Sequence, residues 1–252
     1  MPSTVVIIPT YNERDNLGSI VGRVRSSVPD ADVLIVDDAS PDGTGALADE
    51  LAAADDRLHV LHRSKKNGLG AAYLEAFDWA RARGFDYLVQ LDADGSHQPE
   101  QLPALLAAAR TADVVMGSRW IPGGEVKNWP WHRRMLSRGG SLYSRFMLRL
   151  PQHDVTGGYR VYSADALERM QLESVDSLGY CFQIDMLLHA VRARLTVVEV
   201  PITFIERTLG NSKMSGNIVL EAMGRVTIWG LTGRGARHAN PAPAPAANTR
   251  KL

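Results

Sequence analysis

The sequence predicts an α/β protein built on a doubly wound, mostly parallel sheet. Short, fully apolar runs such as Val5–Ile8 and Val33–Val36 are bounded by turn residues, as strands covered on both faces are. Stretches of helical spacing separate them, so the chain reads as the β-α-β-α series from which parallel sheets with crossover helices are wound. The 252 residues are 45% hydrophobic and 22% charged, enough for a large core, which excludes a small disulfide-stapled scaffold.

Each element follows from its own residues. The strand Val5–Ile8 leads into a helix over Asn12–Val28, whose apolar positions Leu17, Ile20, Val21 and Val24 share one face. After the strand Val33–Val36 the series continues with helix Gly43–Ala54, strand Leu58–His62, helix Gly70–Arg83, strand Tyr87–Leu91, helix Pro99–Thr111 and strand Asp113–Met116. Residues 119–131, rich in Gly, Pro and Trp, read as a mobile loop. An amphipathic basic helix follows over Arg133–Leu150, with Met135, Leu142, Phe146 and Leu150 at steps of seven and four and with Arg134, Arg138, Arg145 and Arg149 supplying charge. Gly139 and Gly140 weaken it by about 1 kcal/mol each relative to Ala. A helix over Phe182–Arg192 and a strand over Thr196–Pro201 come next. Residues 231–252, with their PAPAPAA run, read as a disordered Pro/Ala-rich tail.

Charge adds to this map. The 28 basic and 28 acidic side chains cancel, but not locally. Residues 1–118 hold 10 basic and 18 acidic groups, net −8, and residues 151–206 hold 4 and 8, net −4. Residues 119–150 and 207–252 each hold 7 basic groups and 1 acidic, net +6 apiece. Anionic partners are therefore expected at particular places, whereas the acidic first half opposes a nucleic-acid backbone. The single cysteine, Cys181, reads as a packed apolar residue of a protein from a reducing compartment. The sequence has no uninterrupted apolar stretch near 20 residues, so no membrane-spanning helix is expected.

The chemistry concentrates at the strand ends. Pro9, Tyr11 and Glu13 follow the first strand, Asp37 and Asp38 the second, and Asp92, Ala93 and Asp94 the strand Tyr87–Leu91. In an open α/β sheet these positions converge on the ligand-binding edge. Taken singly, such an acidic pair is more often a turn or a helix cap. Gathered together, carboxylates repel unless a cation compensates, and Mg²⁺ or Mn²⁺ carried with a diphosphate suits one or two carboxylates plus phosphate oxygens.

With these motifs in place, the chain resembles a known group. VVIIPTYNE (5–13), VDDASPDGT (36–44), GLGAAYLEAF (68–77), LDADGSHQPE (91–100) and GSRW (117–120) are similar to the inverting GT-A enzymes of glycosyltransferase family 2. TGGYRVY (156–162), GYCFQIDM (179–186) and RTLGNSK (207–213) narrow the resemblance to the dolichol-phosphate or polyprenol-phosphate mannose synthases, over about residues 3–230. It implies a GT-A-type, Rossmann-like domain over residues 1–230, without the C-terminal membrane helices that some members carry. It also implies that Pro9, Tyr11, Glu13, Val36 and Asp38, with Asp37 beside them, hold the guanosine of GDP-mannose. Asp92 and Ala93 would follow the ribose and diphosphate, and Asp94 would bind Mg²⁺ or Mn²⁺, the next family ligand falling at Ser96. Arg119, Arg207 and Lys213 match positions on the donor phosphates, and Arg133 and Ser137 match positions on the acceptor phosphate.

These roles make physical sense. Inverting transfer needs a leaving diphosphate stabilised by cations and a nucleophile in line on the opposite face. A lipid monophosphate is already anionic at pH 7, so orientation by Arg133 matters more than deprotonation. Asp185 reads in two ways: as a base or acceptor-orienting group completing a catalytic set with Asp94 and Arg133, or as a carboxylate pairing inside the fold. Trp120, Trp129 and Trp131 beside the basic helix suit a lipid interface, which predicts peripheral attachment to the cytoplasmic face of a membrane. The expected reaction is transfer of mannose from GDP-mannose to a polyprenyl phosphate, giving the β-linked product. The alternatives are a related transferase using UDP-glucose or another nucleotide sugar, and a nucleotide-sugar-binding membrane module without catalysis.

Overall fold

The computed structural model describes residues 2–175, 177, 179, 181–207 and 216–232. Its centre is a seven-stranded sheet. The first strand, β1 (Thr4–Thr10), pairs in parallel with β2 (Asp32–Asp37) on one side and with β4 (Tyr87–Gln90) on the other. Strand β3 (Leu58–His62) extends the sheet beyond β2. Strand β5 (Val114–Ser118) pairs in parallel with β8 (Val197–Pro201), and β7 (Arg160–Ser163) runs antiparallel between β4 and β5. The order is thus β3-β2-β1-β4-β7-β5-β8, parallel everywhere except at β7.

Alternate side chains of each strand feed two cores. Val5 and Ile7 of β1 pack on one face with Leu34, Tyr73, Phe77 and Tyr162. Val6 and Ile8 pack on the other with Leu17, Ile20, Val24 and Leu105. The helices α1 (Arg14–Ser27), α2 (Thr44–Ala54) and α3 (Leu69–Ala82) are the crossovers of the first half, and α4 (Leu102–Ala109) precedes β5 behind a one-turn 3₁₀ segment at Pro99–Gln101. Because β2 and β4 flank β1, the winding reverses between β1 and β4. A crevice opens there at the carboxyl ends of the strands, where ligands bind in sheets of this kind.

The second half departs from the expected pattern in places. Residues 119–131 are not simply a loop: Glu125–Lys127 form β6, which pairs in parallel with β9 (Thr203–Ile205) in a separate two-stranded sheet. Gly124 makes this close turn possible, since a Cβ there would meet the Ser118 carbonyl oxygen at 2.5 Å. The basic helix α5 spans Trp131–Leu148, and it stops where Arg149 takes a left-handed conformation with φ 57°. Strand β7 and the short helix α6 (Ala164–Arg169) escape a reading by periodicity. Helix α7 occupies Phe182–Arg192, as its spacing predicts. Helix α8 (Gly216–Leu231) packs beside α5, with Val226 and Trp229 buried, and so includes residue 231, where the sequence reading starts the tail. Positions 233–252 lie outside the described residues.

Candidate active site

Two cavities meet at the carboxyl edge of the sheet. The first, about 360 Å³, is lined by Pro9, Tyr11 and Glu13 after β1, Asp38 after β2, and Asp92, Ala93 and Asp94 after β4. Lys66, Gln183 and Arg207 complete its polar wall. The second, about 200 Å³, runs between α5 and α8 and is lined by Arg119, Arg133 and Ser137 with the apolar Leu136, Ile184 and Val226. Asp92, Asp94, Thr156, Gly158 and Arg207 belong to both.

Each carboxylate is placed by its own strand end. Asp37 is the last residue of β2 and is buried, with Oδ1 accepting from the Ser40 hydroxyl at 2.6 Å and Oδ2 from the Ser40 amide at 3.1 Å. Gly45 allows α2 to close over it, since a Cβ there would lie 2.9 Å from Asp37 Oδ2. This locks a turn through Ala39, held at φ 55°, which delivers the next carboxylate, Asp38, to the cavity. Arg63 pairs with Asp38 and is itself bonded to Glu75 at 2.8 Å. Burial pushes the Asp38 carboxyl above its ordinary value, and Arg63 opposes this. Lys66 Nζ sits 3.6 Å from the centre of the Tyr11 ring, a cation–π contact across the cavity mouth.

At the junction, Asp94 Oδ1 accepts from the Ser96 amide at 3.0 Å and Oδ2 lies 3.3 Å from Arg207 Nη2. The Arg207 Nε is buried and has no hydrogen-bond partner among the described residues, a donor available for an anion. Asp92 faces His97 Nδ1 at 3.5 Å. Burial raises the Asp92 carboxyl, against the pull of His97, and burial lowers the imidazole of His97, which is stacked on Tyr159.

Not every expected residue arrives. Val36 is a fully buried core residue and Asp37 supports the turn; neither lines a cavity, because both side chains are already spent on the sheet and the turn. Ser96 is buried with its amide on Asp94 and its carbonyl accepting from Ile205, so it orients the carboxylate instead of standing in the cavity as a ligand. Asp185 also lines neither cavity. Its carboxylate is buried on α7, with Oδ1 3.7 Å from His189 Nε2 and Oδ2 without a hydrogen-bond partner among the described residues. Arg119 reaches the second cavity rather than the first, with its guanidinium held by Asp154 at 2.6 and 2.7 Å. Lys213 lies outside the described residues. Sequence reasoning missed Lys66, Thr156, Gly158 and the supporting acids Glu75, Asp154 and Glu206. Thr156 and Gly158 sit inside the TGGYRVY motif, and Lys66 lies just before GLGAAYLEAF.

The chemistry of the two cavities differs. The first presents an aromatic ring, acids and a cation of the kind that hold a nucleoside diphosphate; the second combines an apolar lining with arginines, as an amphiphile with an anionic head requires.

Known proteins resemble the chain over most of its length. Residues 5–171 match the family described as Glycosyl transferase family 2. The chain is 59% identical over 233 residues to the polyprenol monophosphomannose synthase of Mycolicibacterium smegmatis, covering 92% of this chain and 88% of that protein. It is 58% identical over 230 residues to the undecaprenyl-phosphate mannosyltransferase of Micrococcus luteus, covering 91% and 95%. Its fold is shared with glucosyl-3-phosphoglycerate synthase from Mycobacterium tuberculosis, solved with Mn²⁺, UDP-glucose and phosphoglyceric acid, at TM-score 0.63 and 20% identity over 92% of this chain and 79% of that one. It is also shared with a mannosyltransferase from Pyrobaculum calidifontis, solved with GDP-mannose and Mn²⁺, at TM-score 0.55 and 17% identity over 92% and 73%.

Proposed function

The chain belongs to glycosyl transferase family 2, and from that premise we propose that it transfers mannose from GDP-mannose to a polyprenyl monophosphate, releasing GDP and inverting the anomeric carbon to give the β-linked lipid. The observation that carries this reading is the meeting of a polar cavity and an apolar, arginine-lined cavity at Asp92, Asp94 and Arg207.

The donor occupies the first cavity. Tyr11 and Lys66 face the nucleobase, and Asp38, fixed by Arg63, accepts from its N–H edge. Asp94 suits a divalent cation, Mg²⁺ or Mn²⁺: it is a hard oxygen donor open to both cavities. Among the described residues no group of three or more His, Cys, Asp or Glu gathers to cage an ion, so the remaining ligands would be diphosphate oxygens. When bound, the cation neutralises charge on the leaving diphosphate. Arg207, whose Nε has no partner among the described residues, adds charge-assisted hydrogen bonds to the same group.

The acceptor phosphate enters the second cavity beside Arg133, Arg119 and Ser137, while its first isoprene units lie along Leu136, Ile184 and Val226. A phosphate oxygen forms the new bond to the mannose anomeric carbon as the bond to the GDP oxygen breaks on the opposite face. The attacking oxygen is already ionised, so no general base is required, consistent with Asp185 lining neither cavity. Leu142 and Phe146 on α5 and Ile228 and Leu231 on α8 are exposed large apolar groups, and they rest on the membrane that carries the lipid. No described helix is long and apolar enough to cross a membrane. The reaction takes place at the cytoplasmic face.

Incubating the protein with GDP-mannose, Mn²⁺ or Mg²⁺ and a polyprenyl phosphate yields mannose in the lipid phase, with a β linkage by NMR. GDP competes and UDP does not. Absence of lipid-linked mannose under all these conditions rejects the reading, and stronger inhibition by UDP favours the UDP-sugar alternative. Asp94→Ala reduces turnover by at least about a hundredfold, since it removes charge stabilisation at the leaving group. Near-normal turnover of that variant refutes the role given to Asp94.

A further inference from the structure

Two ion pairs flank the junction of the cavities, and they come from consecutive residues. Glu206 pairs with Arg133, whose guanidinium also lies 4.4 Å from the centre of the Trp129 ring. Arg207 pairs with Asp94 at 3.3 Å. The segment carrying them is held from both sides: the Ile205 amide donates to the Ser96 carbonyl at 3.1 Å, and the Glu206 amide donates to the Lys127 carbonyl at 3.1 Å. Strand β9 is therefore tied at once to the loop that presents Asp94 and to β6 in the segment leading to α5.

We propose that Glu206 is a positioning residue that couples the two substrates, holding Arg133 while the donor cavity is empty and yielding it to the acceptor phosphate once the donor diphosphate has drawn Arg207 from Asp94. The proposal rests on the donor and acceptor assignments above. Its physical basis is competition. A carboxylate and a phosphate cannot both take the same face of one guanidinium, and a carboxylate left beside an incoming phosphate repels it. The Arg207 Nε, without a partner among the described residues, gives a diphosphate its hold on this guanidinium, and the more highly charged group then competes with Asp94, which Nη2 contacts at 3.3 Å. The two residues share one peptide, so a backbone rotation that swings Arg207 toward the diphosphate also turns Glu206, whose amide is bonded to the Lys127 carbonyl. The lipid phosphate then meets a free Arg133 only where a donor is ready.

The test is isothermal calorimetry of the full chain with farnesyl phosphate, kept below its micelle concentration, with and without GDP and Mn²⁺. In the unmodified protein, GDP and Mn²⁺ tighten farnesyl phosphate binding by on the order of fivefold, and farnesyl phosphate tightens GDP by the same factor, because the coupling is reciprocal. Glu206→Gln, nearly isosteric but uncharged, shows the tighter binding without GDP and loses the dependence. Glu206→Ala does the same. Equal farnesyl phosphate affinity with and without GDP and Mn²⁺ in the unmodified protein overturns the proposal whether or not the variants fold. So does full GDP dependence in Glu206→Gln, or weaker farnesyl phosphate binding in that variant under both conditions, which would mark Glu206 as merely structural. If farnesyl phosphate binds under no condition while GDP binds normally, the acceptor assignment itself falls and the coupling falls with it.

Discussion

Arg119, in the wall of the second cavity, and Asp154 beside it are both withdrawn from water, and each offsets the burial of the other's charge. Burial alone would raise the Asp154 carboxyl, but the Arg119 guanidinium and amide bonded to it hold it below the usual carboxylate range. A carboxyl depressed in the folded state contributes stability above its unfolded value, near 3.8, and that contribution is lost as pH falls through the lower folded value. Asp154→Asn leaves a buried cation without its counter-charge, at a cost of about 3 kcal/mol or more. Urea denaturation at pH 7 should show that gap, and at pH 3 the gap should narrow because the unmodified protein is losing the same interaction. A gap of equal size at both pH values contradicts the charge argument and leaves only packing. Pairs of this kind mark the limit of reading a sequence. The acids at strand ends are legible because an apolar run fixes where the strand stops, and Asp38 and Asp94 follow from that. Their partners do not: Arg63, Asp154 and Glu206 lie 25, 35 and 73 residues from the groups they bind, and no local pattern records a pairing that only the sheet order creates.

Elements were legible where one interaction dominated them. The parallel strands have both faces buried and so show unbroken apolar runs, whereas β7 carries Arg160 and Tyr162 in its four residues and looks polar. Arg160 is nonetheless fully buried, its guanidinium capping the carbonyls of Val155, Gly157 and Gln183, a solution that depends on three segments meeting. Strands β6 and β9 are three residues each, too short to carry a period. Helix α5 is the opposite case. Of the stripe Met135, Leu142, Phe146 and Leu150 that the sequence shows, Leu150 lies past the helix end and is buried in the core, and the structure leaves the other three side chains 65%, 64% and 81% exposed. A helix that faced the core with this stripe would bury it. Changing all three to Ser should therefore leave the melting temperature within a few degrees of the unmodified protein. It should also weaken partition onto phospholipid vesicles by at least about tenfold, since each large apolar side chain gains on the order of 1.5–3 kcal/mol on full burial. A sharp fall in melting temperature with unchanged vesicle binding would show instead that the stripe supports the fold.

At the scale of the whole molecule, zero net charge conceals a directional arrangement. The strand-end acids of the first half gather around the donor cavity, while the basic block at 119–150 supplies α5, where Arg134, Arg138 and Arg149 are exposed beside the apolar stripe. On the proposed reading, an anionic surface both orients such a molecule, with α5 turned toward it, and attracts its nearer, basic face. That orientation would place the mouth of the second cavity, which α5 and α8 line, against the source of the proposed lipid acceptor. Binding should therefore be tighter to vesicles containing phosphatidylserine than to neutral ones in 0.1 M salt. The difference should vanish near 1 M salt, where the screening length falls from about 10 Å to about 3 Å, leaving only the apolar contribution of the stripe. Hydrogen exchange on the anionic vesicles should slow the amides of α5 and leave β3 unchanged. The segment 120–132 should slow further when GDP-mannose and lipid phosphate are both present, because it contains β6 and leads directly to Arg133, the proposed acceptor ligand. Equal affinity for anionic and neutral vesicles at low salt would mean that the segregated charge serves the two phosphorylated substrates alone, and that the apolar stripe by itself holds the enzyme to its membrane.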